Sequence, residues 1–322
     1  MSNKTIDLTP TKTGSDTANF FIKETMNKCL DRGAREDDPK TIFYDYLFQN
    51  ELCVMFSDTG LGKTILAVQI AKEFCDTFPN EKVLYFDFEL NGKSHEMRYR
   101  NEKKEICKFS DDLIRLEINF DKQDLEITPE IIIGEIKKAT EENEAKFVII
   151  DNITYLENEL HRPDKASVLI KKLKNLKTSL NITLLALAHT PKRDESKPIT
   201  PNSMSGSKNI ANFIDNLFAI GLSSQDTSFR YLKRLKFRNH SADIEVEEIR
   251  LFEIKRNDEG FLHFEFIENG KEYEHLKESN KDDRDKRIME LHKEGKSCRE
   301  IANELGISKS TVNNVIQKSN KN

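Results

Sequence analysis

Met55-Phe56-Ser57-Asp58-Thr59-Gly60-Leu61-Gly62-Lys63-Thr64 is the stretch on which the fold reading turns. An apolar, strand-like run, Leu52 to Phe56, leads into it, and a helix-like run, Ile65 to Phe74, leaves it. Strand, glycine loop and helix in that order make a phosphate-binding P-loop. Backbone N–H groups of the loop and of the helix N-terminus converge on one anion, and the helix dipole adds to the attraction. Gly60 and Gly62 let the backbone close on phosphate oxygens where a Cβ would clash. The nucleotide-binding loop is therefore expected at Ser57, Asp58, Thr59, Gly60, Leu61, Gly62, Lys63 and Thr64. In such a loop Lys63 reaches the β- and γ-phosphates of ATP, and the Thr64 hydroxyl is a ligand for Mg2+. Ser57 stands where the pattern usually has its first glycine, and serine is small enough to be tolerated there.

The chain has 322 residues, which suggests about two domains. With 37% apolar and 33% charged residues it reads as a soluble globular chain with a heavily charged surface. The net charge of −5 provides no global field for nucleic acid, so any DNA contact must come from local patches. Cys29, Cys53, Cys75, Cys107 and Cys298 form no C-x-x-C pair, which fits thiols in a reducing compartment better than disulfides or zinc. No apolar run approaches the ~18 residues of a membrane span, and the N-terminus lacks a signal-peptide core. The expectation is a cytoplasmic protein with no membrane partner.

Residues 1 to about 17 are polar and expected to be disordered. From Ala18 to Arg32, Phe20, Phe21, Met26 and Leu30 suggest an amphipathic helix. It could pack on its own core or dock as an arm on a neighbouring subunit. From Leu52 to about Leu187 strands and helices alternate, with strands at 52–56, 83–87, 113–118, 147–151 and 183–188. That alternation predicts an α/β fold with a mainly parallel, doubly wound sheet. Thr128-Pro129-Glu130 opens a helix to about Glu142, and Asp164 to Leu180 forms another. Beyond Gly221 the runs 229–237, 249–254 and 261–266 are strand-like, and turn signals at 257–260 and Asn269-Gly270 punctuate them. They predict an antiparallel extension of the sheet. The resulting division is an N-terminal extension at 1–39, an ATPase domain at 40–272, a charged linker at 273–283 and an all-α module at 284–322.

Four further stretches narrow the chemistry. Val148-Ile149-Ile150-Asp151 is an apolar strand ending in a carboxylate, the pattern in which Asp151 holds Mg2+. Phe86-Asp87-Phe88-Glu89-Leu90 places carboxylates at the end of another strand, where ligands of parallel sheets bind. One of them can polarise the attacking water, and by chemistry alone Asp87 and Glu89 are equal candidates, since both point to one face of an extended segment. His189 ends the strand Leu187-Ala188 and could hydrogen-bond the γ-phosphate. Lys236 and Arg238 share one face of an extended segment and, in a ring, could reach a neighbour's nucleotide.

Together, Ser57–Thr64, Phe86–Leu90, Val148–Asp151, Ala188–Arg193, Ser203–Asp215 and Lys236–Arg238 resemble the RecA-like ATPases. Within these they resemble the plasmid RepA replicative helicases, relatives of the DnaB motor, over roughly residues 40 to 270. The resemblance implies a RecA-like core, Mg-ATP hydrolysis and a homo-oligomeric ring, typically a hexamer. It selects Glu89 as catalytic base and makes His189 a sensor. Lys63, Lys236 and Arg238 complete the catalytic set, the last two acting in trans. It also sends the loop after His189 toward a central channel, where Lys192, Arg193 and Lys197 would meet single-stranded DNA.

The C-terminal segment reads as three short helices, Lys286–Glu294, Cys298–Leu305 and Lys309–Lys318, with Gly295 and Gly306 as stops and Ser297 and Ser308 as caps. It resembles the helix-turn-helix of recombinases and sigma-like regulators. Its last helix offers Lys309, Ser310, Thr311, Asn313, Asn314 and Gln317 to phosphates and base edges of duplex DNA. The expected function is a RepA-type motor of plasmid or mobile-element replication or mobilisation. The competing expectation is a DNA-binding regulator or loader that uses ATP as a switch.

Overall fold

Thr25 sets the start of the first helix. In the computed structural model, which describes residues 21–119, 128–156, 162–190, 193–204, 207–238, 248–277, 280–305 and 309–319, its hydroxyl accepts from the Lys28 amide and caps α1 (Met26–Gly33). The helix therefore begins at Met26 and not at Ala18, which lies outside the described residues together with the N-terminal stretch expected to be disordered. The chain divides into two units, Met1–Pro39 and Lys40–Asn322. No residue of α1 is buried within its own unit.

In the second unit the order is β1 (Thr41–Phe43), β2 (Leu47–Phe48), β3 (Leu52–Ser57), α2 (Lys63–Thr77), β4 (Val83–Asp87), α3 (Gly92–Arg98) and β5 (Leu113–Leu116). There follow α4 (Pro129–Asn143), β6 (Phe147–Asp151), α5 (Ile153–Leu156), α6 (Pro163–Leu180), β7 (Thr183–His189), α7 (Ser207–Phe213) and β8 (Asn216–Leu222). The chain ends with β9 (Phe229–Phe237), β10 (Glu248–Arg256), β11 (Leu262–Lys271), α8 (Asn280–Lys293), α9 (Cys298–Glu304) and α10 (Lys309–Ser319). Among the described residues nine strands form one sheet in the order β11-β10-β9-β8-β3-β7-β6-β4-β5. From β8 to β5 neighbours are parallel, and β8 to β11 pair antiparallel. This is the α/β fold with a mainly parallel sheet and an antiparallel extension that the sequence predicts.

The register assembles the cleft. Ser57 lies opposite His189 on the β3–β7 pair, and Asp87 lies opposite Asp151 on the β4–β6 pair. Both faces of the sheet are covered. Leu52, Val54 and Phe56 point into one apolar cluster, with Leu169, Leu173 and Ile210; Cys53 and Met55 point into another, with Leu66, Ile70 and Phe74. That two-sided burial explains why β3 reads as an unbroken apolar run.

The extension also supports the P-loop. Gln69 of α2 donates to the Phe264 carbonyl at 3.1 Å and accepts from the Phe264 amide at 2.8 Å, so its side-chain amide stands in for a paired strand. Gly62, at φ +97°, is packed so closely that a Cβ would lie 3.0 Å from the Phe264 ring. Two expectations change in this region. Asn269-Gly270 is not a turn: both residues lie within β11, opposite Arg250 and Ile249, because ladder pairing overrides the local turn preference. The segment expected as a linker at 273–283 is built at both ends. Glu272–His275 forms a 3-10 turn with Glu272 and His275 buried, and α8 already begins at Asn280.

Helices α8, α9 and α10 close on a small core of Ile288, Leu291, Ile301, Ala302, Val312 and Ile316. Gly295, at φ +87°, follows α8, and Ser297 and Glu300 form a reciprocal capping box at α9. The Gly306 stop and the Ser308 cap lie outside the described residues.

Candidate functional site

Lys63 occupies the first turn of α2, whose N-cap Gly62 adopts the left-handed conformation. Its ammonium lies 3.2 Å from the Ser57 carbonyl, 3.4 Å from the Asp58 carbonyl and 3.1 Å from His189 Nδ1. Burial pulls the Lys63 pKa below the ordinary lysine value, against the attraction of Asp151, Glu89 and Asp58. Such a cation, held by neutral oxygens in a desolvated loop, is set to take an anionic partner. The next residue, Thr64, donates its hydroxyl to Asp151 Oδ2 at 2.7 Å.

Asp151 ends β6 with no exposure. Its Oδ2 also accepts from the Tyr85 hydroxyl at 2.7 Å, while Oδ1 is buried and has no partner among the described residues. Burial raises the pKa of this carboxyl, although the bonds from Tyr85 and Thr64 oppose the rise. An uncompensated carboxylate oxygen beside a threonine hydroxyl is a hard-oxygen donor set. It fits Mg2+, which binds through one or two carboxylates and completes its shell with phosphate and water. Thr64 and Asp151 would hold that ion.

The two carboxylates that chemistry left equal are separated by their surroundings. β4 ends at Asp87, so Asp87 and Glu89 do not share the face of one strand, as the extended reading assumed. Asp87 Oδ2 is 2.7 Å from His95 Nε2 and accepts from Arg115 Nε at 2.9 Å; Oδ1 accepts from the amides of Glu89 and Leu90. Burial alone would raise its pKa, but the bonds from His95, the Leu90 amide, Arg115 and the Glu89 amide outweigh it and hold the carboxyl at about 2. Asp87 thus locks the backbone from which Glu89 projects. Glu89 is half-exposed, and its Oε1 lies 2.9 Å from His189 Nε2 and accepts from Asn152 Nδ2. The His189 hydrogen bond keeps its pKa below the usual carboxylate range. His189 therefore links Lys63 on one ring nitrogen to Glu89 on the other. With Nδ1 facing an ammonium, Nε2 carries the hydrogen.

The remaining expected residues lie elsewhere. Lys236 donates to the carbonyls of Ala211 and Ile214, and Arg238 donates to the Asn212 carbonyl at 3.1 Å and lies 3.4 Å from Asp215. Both therefore hold the C-terminal end of α7, where the helix dipole favours cations. Lys236 pairs with Leu217 near the start of β8, and the P-loop leaves the far end of β3, so these cations sit at the opposite end of the sheet. Arg193 turns toward the P-loop. Its side chain is only 11% exposed, lies 3.6 Å from Asp58 of the P-loop and donates to the Lys197 carbonyl. Asp58, far upstream in sequence, draws it inward, so the guanidinium is paired within its own chain. Lys192 lies outside the described residues.

Sequence reading missed Tyr85, His95, Arg115 and Asn152. Only Asn152 carried a signal, its place directly after Asp151. On α10, Lys309, Asn313, Asn314 and Gln317 are exposed; the side chains of Ser310 and Thr311 lie outside the description. Among the described residues no helix is long and apolar enough to cross a membrane.

Comparison with known proteins agrees with this geometry. The family model described as AAA domain matches residues 26–195, and one described as helix-turn-helix domain matches residues 283–319. No curated protein matches the chain. A similar solved structure is a KaiC-like protein from Pyrococcus horikoshii, at 16% identity, covering 68% of this chain and 90% of that one with a TM-score of 0.48. With P-loop, buried strand-end carboxylate and parallel sheet in place, and the domain match running over more than half of its length, the chain belongs to the AAA domain family and carries a helix-turn-helix after that domain.

Proposed function

We propose that the protein is a Mg-ATP hydrolase that works on DNA as a ring of identical copies, in the manner of the RepA-type helicases. The observation that carries the hydrolytic reading is the cleft at the ends of β3, β4, β6 and β7. There an ammonium with no carboxylate partner and an Asp151 oxygen with no partner, both among the described residues, lie with the poised Glu89. Lys63 and the loop amides bind the phosphates. Mg2+, held by Thr64 and Asp151, would neutralise phosphate charge. Glu89 orients and deprotonates the attacking water. When Lys63 turns to the phosphates it leaves His189 Nδ1, so His189 reports occupancy to Glu89. Lys236 and Arg238, remote from their own P-loop, act on the next copy's nucleotide. The domain spans about residues 40–272, and the α8–α10 module brings duplex DNA.

Steady-state ATP hydrolysis with and without single-stranded DNA tests this reading. Strong stimulation is expected, followed by strand displacement. Slow turnover indifferent to single strands would end the helicase reading. A second reading, an ATP-switched duplex-binding regulator or loader, is favoured by the inward Arg193, which leaves the proposed strand channel with one cation fewer. Salt-dependent binding of duplex by the full chain, changed by ATP, would favour it.

A further inference from the structure

We propose that Asn152 is a positioning residue that fixes the carboxylate of Glu89 for the attack of water, an inference that rests on the hydrolytic reading of the cleft. Asn152 is 4% exposed and follows the last residue of β6. Its Oδ1 accepts from the Thr154 amide at 2.8 Å, and this bond decides which way the side-chain amide faces. Nδ2 is thereby aimed at Glu89 Oε1, to which it donates.

His189 Nε2 donates to the same oxygen at 2.9 Å, and the two donor nitrogens stand 3.0 Å apart. Because Nε2 carries the hydrogen, that short separation is two donors converging on one acceptor. Oε1 is thus occupied by two donors, and Oε2 has no partner among the described residues. Asp87 holds the Glu89 amide from the other side at 3.1 Å. Backbone and one carboxylate oxygen are fixed, and the free lone pairs of Oε2 are left to take the proton of a water molecule. Without Nδ2 the carboxylate would pivot about the single His189 bond, and Oε2 would lose its defined direction. Of the two contacts, only that of Asn152 is independent of Lys63, so it persists when a nucleotide draws the lysine away.

The test compares Asn152→Ala and Asn152→Asp with the parent protein, measuring kcat, KM and binding of a fluorescent ATP analogue. Asn152→Asp keeps the acceptor for the Thr154 amide, so it reports even if the alanine variant folds poorly. Both should bind nucleotide with the parent Kd and KM, and lose kcat by about ten- to a hundred-fold. Combined with Glu89→Gln, either should lower the residual rate no further, because the residue acts through Glu89. Unchanged kcat in both variants, or losses that multiply with that of Glu89→Gln, would overturn the proposal. Full turnover in Glu89→Gln alone would instead remove Glu89 as the base, and the hydrolytic assignment with it.

Discussion

At the carboxyl ends of β3, β4, β6 and β7, charges are left uncompensated among the described residues: Lys63 rests on neutral oxygens and His189 with no carboxylate, Asp151 keeps a bare oxygen, and Glu89 presents one free edge. At the other end of the same sheet Lys236, Arg238 and Lys177 gather around Asp215 and the last carbonyls of α7. The residue types are alike, yet one end is incomplete without a ligand and the other is satisfied by its own chain. Incompleteness, and not charge density, marks the site. Unmet polar atoms in a desolvated cleft cost free energy that a bound nucleotide returns.

The sharpest way to break this contrast is Glu89→Gln. Turnover should fall by about 10²- to 10⁴-fold while ATP binding persists, as read by steady-state hydrolysis and nucleotide binding. Next comes the paired change Lys236→Ala with Arg238→Ala. If those cations serve a neighbour, this variant and Glu89→Gln should each be inactive alone but recover turnover when mixed. No recovery would leave them as helix-capping cations only.

A smaller effect, on stability, is expected at Asp87. Its carboxyl is held near 2 against an ordinary 3.8, so its stabilisation is present above about pH 4 and lost as pH falls toward 2. Asp87→Asn should cost about 2 kcal/mol at neutral pH and flatten the fall in Tm between pH 4 and 2. The smallest belongs to the satisfied end. Lys177→Ala removes a 3.7 Å ion pair and a bond to the Asn50 carbonyl, and should cost about 1 kcal/mol with turnover unchanged.

What could be read in advance follows from sequence distance. The P-loop is contiguous, so its glycines and Lys63 announce themselves, and the α9 cap does so through Ser297. The choice between Asp87 and Glu89 could not be read from their spacing, because it depends on Arg115 and His95 claiming the first. Arg193 looks like any loop cation until Asp58, far upstream, takes it. Asn269-Gly270 carries a strong local turn signal, and only the β10 partner straightens it.

The Gln69 bridge to Phe264 has a mechanical consequence. It makes the helix that begins with the phosphate-binding lysine and the outermost strand of the sheet parts of one stiff piece, without passing through β8, β9 or β10. A displacement of α2 would therefore load the sheet margin directly, on the strand whose end leads through Glu272–His275.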